Sequence, residues 1–136
     1  GSASDTGEAD GSYTDGTTNY DLDNGTSSVE ANFATGFVDV TMEGFDVVER
    51  DTGTAADVGF NGVNITGMST SGIQFTGGTI TTRSDGTLVQ IIGTQTQETA
   101  IGRFFGLDNS NNPDEVGGIG YLAGSDGSVS TIFLAD

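Results

Sequence analysis

The sequence predicts an all-β protein, a single small eight-stranded antiparallel up-and-down β-barrel. Three observations carry that expectation. Short alternating apolar runs recur between turn signals at roughly ten-residue spacing, the pattern of a small all-β domain. The composition favours strands and tight turns over helices: 23 of 136 residues are glycine, threonine is abundant, one proline occurs and lysine is absent. A meander of about eight strands leaves two unpaired edges unless the first strand meets the last, and closure removes both.

Taken in order, residues 1–10 (GSASDTGEAD) hold no large apolar side chain and read as a flexible N-terminal lead, leaving 11–136 as the barrel domain. Tyr13 and Tyr20 flank Asp15-Gly16, and Asn24-Gly25 follows; both dipeptides favour hairpin turns. Val29, Ala31 and Phe33 alternate with polar residues, as do Val38, Val40 and Met42. Only Ala34-Thr35-Gly36 separates these runs, so they should pair as a hairpin. A polar link over 48–57 leads to Phe60 and Ile65, then to the run from Gly72 to Thr82. The segment 84–93 is compatible with a short strand or a helical turn, because a five-residue apolar run has no decisive period. Strands are expected at 99–106, at 115–124 and, after Ser125-Asp126-Gly127, at 128–136. Glycines at 102, 106, 117, 118 and 120 suit a barrel, where they relieve crowding at bends and under aromatic rings. Phe104 and Phe105 should point to opposite faces.

Charge and missing residue types exclude several functions. Twenty acidic residues against three arginines give a net charge of −17. The chain cannot neutralise phosphates, so nucleic acid is excluded as a partner, and anionic membrane surfaces should repel it. A soluble acidic surface accounts for the charge, with basic proteins or cations attracted. Cysteine is absent, which removes disulfides, thiolate metal sites and thiol nucleophiles. Histidine is absent too, and with no lysine the usual bases for a Ser or Thr nucleophile are missing, so no enzyme activity is expected. No apolar run approaches a membrane helix. Gly1-Ser2 has the look of a cloning remnant, so a native leader is expected upstream.

Two Asp/Asn-rich segments, 21–25 and 108–112, offer oxygen ligands, but neither meets the EF-hand pattern. No cofactor and no specific metal site are expected, with weak calcium binding driven by overall charge as the alternative. Tyr13, Tyr20 and Tyr121 are the tyrosines available as haem ligands and read as barrel or rim residues. Arg50 and Arg83 fall in expected loops. Glu115 should cap loop amides, pair with Arg103, or contribute to a partner interface.

The stretch from Gly102 to Gly124 carries a family resemblance. Gly102-x-Phe104-Phe105-Gly106, a polar loop, then Glu115-Val116-Gly117-Gly118 resembles a signature of transferrin-binding protein B barrels, in which a G-x-F-[YF]-G-P strand end leads through a loop to E-[VL]-G-G. The resemblance is most specific over 100–136 and looser over 28–82. Leu107 stands where the family has Pro, and Ile119 where it has an aromatic residue. The resemblance implies an eight-stranded barrel from a Gram-negative surface lipoprotein, exported to the cell surface, outer membrane or periplasm. It implies a lipid anchor on the native protein rather than insertion of this domain, and a monomer that meets a protein partner through its loops. Asp108, Asn109, Asn112 and Asp114 are the candidate partner or cation loop. No transferrin-gripping residue is carried over. Three functions stay open at this point: a binding barrel, a structural envelope barrel without ligand, and a calcium-dependent extracellular module.

Overall fold

The computed structural model describes residues 2–107 and 113–136. Their strands are β1 (Ser2–Thr14), β2 (Asn19–Asn32), β3 (Phe37–Glu43), β4 (Asp46–Glu49), β5 (Gly62–Ser71), β6 (Gln74–Thr76), β7 (Thr79–Ser84), β8 (Thr87–Val89), β9 (Gln95–Leu107), β10 (Pro113–Gly124) and β11 (Gly127–Ala135). All pairings are antiparallel, and β3-β2-β1-β11-β10-β9-β6-β5 closes on itself through β3–β5. The result is a closed eight-stranded up-and-down barrel with β4, β7 and β8 outside the ring.

Closure depends on β1, which corrects the expected flexible lead. Residues 2–10 are the first part of a 13-residue strand paired with β2 from Ser2 and with β11 from Gly7. Its inward side chains are small: Ala3, Asp5, Gly7 and Ala9. At Gly7 the missing side chain leaves room for the Leu134 carbonyl, which accepts a hydrogen bond from the buried Ser27 hydroxyl at 3.2 Å across the strand. Backbone pairing on two sides holds a segment that burial alone would not hold.

The Asn24-Gly25 dipeptide, expected as a turn, is a bulge inside β2. Asp23 and Asn24 together face the single residue Asp10 between Ala9 and Gly11. Asn24 takes a φ of 57°, the left-handed conformation that makes Asn-Gly a good turn and an equally good bulge. The bulge divides the other edge of β2: β3 pairs with it above, β4 below. A similar break occurs at Gly77-Gly78, both with positive φ. Beyond it the chain stays on β5 as β7 but leaves β9 and turns back as β8. The Glu98 carboxylate spans this splay, accepting from the Ile80 backbone N–H at 2.8 Å. Arg83, expected in a loop, therefore lies in β7.

The interior is filled by side chains. Buried residues include Leu22, Val29, Val40, Met42, Ile65, Met68, Phe75, Val116 and Phe133. Aromatic groups stand at both ends. Tyr13 stacks on Tyr20 with centroids 5.6 Å apart and meets Phe60 edge-on at 5.2 Å. At the opposite end Phe104 lies 5.0 Å from Phe75 and 5.7 Å from Phe33. Among the described residues no buried side-chain polar atom lacks a hydrogen-bond partner.

Candidate functional site

The residues of the quoted motif sit together on β9 and β10, with separate tasks on the two faces. Gly102 and Gly118 are cross-strand partners that face inward. A Cβ on Gly102 would run into the Phe75 ring, and one on Gly118 would come within 2.6 Å of Phe133 Cζ. The glycines make room for two of the largest buried side chains, so aromatic rings cover backbone that would otherwise have no packing partner. Phe104 and Val116 are also paired and buried, while Phe105 points outward, half exposed. Gly106 has a φ of 68° and lies between the pairs Phe105–Glu115 and Leu107–Pro113.

The outward face of the same strands is unusual. Register puts Ile101, Ile119 and Ile132 side by side across β9, β10 and β11. One step along, Arg103, Gly117 and Leu134 form the next row, and Phe105 and Glu115 the third. Ile101, Phe105, Ile119, Ile132 and Leu134 are between 37% and 57% exposed. They line an open groove of about 610 Å³ with Gly117 in its floor, where a Cβ would meet Leu134 Cδ1 at 3.3 Å and Phe105 Cε1 at 3.5 Å. A contiguous exposed apolar strip rimmed by polar residues is the kind of surface used in interaction sites. Among the described residues the other exposed large apolar side chains are Phe33, Phe37, Ile73 and Leu88, on other hairpins. Sequence reasoning missed this strip. Its signal was present: Ile132-Phe133-Leu134 is apolar on both faces of one strand, and a barrel strand has only one inner face.

Carboxylates frame the strip. On β1, Glu8 lies beside Leu134 and Asp10 beside Ile132, both exposed. Glu115 and Asp136 are exposed at its upper end, by a smaller pocket that both help to line. Glu115 faces Phe105 rather than Arg103 across the ladder, and the two do not form an ion pair. The one ion pair among the described residues is Arg50–Asp21 at 2.9 Å. Asp21 therefore lies in a strand and takes part in a surface ion pair. Of the expected partner loop, Asp108, Asn109 and Asn112 lie outside the described residues, while Asp114 is exposed on β10.

Two titrating groups report on the barrel ends. Asp5 sits among the inward positions of β1, where burial, then repulsion from Asp136 and Asp114, raises its carboxyl above the usual 3.8. A raised acid binds its proton more tightly when folded, so its charge costs stability at neutral pH. That cost disappears as pH falls through the folded value. Asp5→Asn should melt higher than wild type at pH 7 and level with it near about pH 3, where both forms are neutral; thermal melts at the two pH values check this. Burial, followed by nearby Asp15, Tyr20 and Asp126, raises the Tyr13 phenol above 10.

No family model matches the chain, and a search of curated proteins returns no match. Among solved structures, the isotype 1 transferrin-binding protein B of serogroup B Neisseria meningitidis aligns over 99% of this chain with a TM-score of 0.61 and 19% identity. The fold is that of a transferrin-binding protein B barrel. The chain spans about a quarter of that protein's length, 24%. In this barrel the motif's inward residues serve the packing of Phe75, Phe104 and Phe133, and its outward residues contribute to the apolar strip.

Proposed function

We propose that this transferrin-binding protein B-like barrel is a non-catalytic interaction module, exported to the surface of a Gram-negative cell by way of a lipid-anchored parent protein. The observation that carries the reading is the exposed apolar strip over β9–β11, set beside an interior occupied by side chains. The neighbouring structure is named for binding a protein, which supports a protein-binding role here in general without specifying the partner. The binding face in this reading is the barrel wall.

The neutral dye Nile red separates a wall site from an interior one. Ile119→Thr with Ile132→Thr keeps strand propensity and removes the middle of the strip. The double variant should keep its melting temperature within about 3 °C of wild type, because exposed sites contribute little to stability. Dye fluorescence should fall to background. Persistent fluorescence would place the apolar site inside and make the protein a small-ligand carrier. A fall of ten degrees or more in melting would make the strip structural.

A further inference from the structure

We infer that the strip on β9–β11 receives a basic polypeptide segment whose apolar side chains lie along its open groove; this rests on the wall-binding reading above. The rows of outward residues set the dimensions of the occupant. Neighbouring strands lie about 4.8 Å apart and successive outward residues about 6.7 Å apart. The apolar rows are therefore about 10 Å wide, enough for one extended chain or one helix face, and not for a flat domain surface. Glu8 and Asp10 run along the β1 side with that same two-residue spacing, and Glu115 and Asp136 close the upper end. A segment with cations about 7 Å apart along one edge meets both β1 carboxylates while its apolar residues face Ile119, Ile132 and Leu134. Leu134 and Phe105 already close over Gly117, where an added Cβ would meet Leu134 Cδ1 at 3.3 Å, so the apolar residues of the segment lie along the strip rather than plug into it.

Charge argues against other occupants. A second copy brings the same −17 and sets its own acidic frame near this one. An anionic lipid surface or a nucleic acid is repelled by the frame that attracts a cationic chain. Arg103 stands on the β9 side, so the complementary surface is cationic toward β1 and the upper end and apolar at its centre.

Isothermal titration with three synthetic 14-residue peptides tests the inference in about 150 mM salt. One combines Leu with Lys, the second Leu with Glu, the third Ser with Lys. The Leu/Lys peptide should bind one to one, at least tenfold tighter than either of the others. Ile119→Ser with Leu134→Ser should weaken it at least tenfold. Glu8→Gln with Asp10→Asn should weaken it several-fold and flatten its salt dependence. Glu43→Gln with Asp51→Asn makes the same change in net charge away from the strip and should leave binding unchanged. Equal losses from the two carboxylate pairs would reduce the effect to bulk charge and overturn the inference, as would failure of the Leu/Lys peptide to bind. Tight binding of the Leu/Glu peptide, or self-association through the strip, would overturn the basic occupant while leaving the wall site standing. Full binding by the Ile119/Leu134 variant would overturn the wall site itself.

Discussion

A protein lacking residues 2–10 should lose cooperative unfolding at 25 °C, or melt at least about 20 °C below the full chain. The deleted half-strand pairs with β2 along its whole length and with β11 from Gly7. Its loss removes several backbone hydrogen bonds worth about 1 kcal/mol net each. Ala9 leaves the core, and the Ser27 hydroxyl is exposed to a changed neighbourhood. Both flanking strands then present open edges where the ring had none. Together these losses approach the total stability of a small domain, about 5–15 kcal/mol. Circular dichroism melts of the two proteins decide the matter. An unchanged melt would return residues 1–10 to the role of a flexible lead.

The second large effect belongs to a glycine. Gly102→Val should destabilise the barrel by about 3 kcal/mol or more, near the upper end for overpacking a core. In a chain of this size that is a fall of about 10 °C or more. The new side chain has nowhere to go: the Phe75 ring covers the site, and the Gly117 carbonyl lies 2.9 Å from the Cβ position. Phe75→Ala alone should cost about 3–5 kcal/mol by opening a cavity. The two changes share one space, so the double variant should be clearly more stable than the sum of the singles predicts. Chemical denaturation of all four proteins measures the coupling. Additive losses would mean that ring and glycine do not pack on each other.

These two cases also show what the sequence could reveal. The hairpin at 33–36 was legible because both flanking runs alternate strictly, with Val29, Ala31, Val38, Val40 and Met42 inside. That the strands on either side of 107–114 pair was legible from the motif, while the register that sets Gly102 against Gly118 comes from the structure. β1 was not legible, because its inward side chains are small and its stability comes from two neighbours rather than from its own apolar content. The expected count of strands held for the ring, while β4 and β7 were missed as separate strands, and β8 is the short strand that was one of the two alternatives for 84–93. They arise where a bulge or a glycine pair shifts a continuous chain from one partner to another, and local propensity does not encode that choice. Asn24-Gly25 makes the same point, since one backbone conformation serves both turn and bulge. The apolar strip required both the register and the ring. Only with β9, β10 and β11 aligned do three isoleucines from separate strands become neighbours on the outside.

The isoleucines themselves provide the most direct measurement. Ile101, Ile119 and Ile132 lie on the outer strip, while Ile65, Ile80 and Ile92 are buried. Methyl NMR of isoleucine-labelled protein, titrated with the Leu/Lys peptide, reads both sets in one experiment. The account predicts saturable shifts in the three outer methyls and stationary signals from the three buried ones. Shifts confined to Ile65, Ile80 and Ile92, with the outer methyls unmoved, would place binding away from the strip and contradict the account.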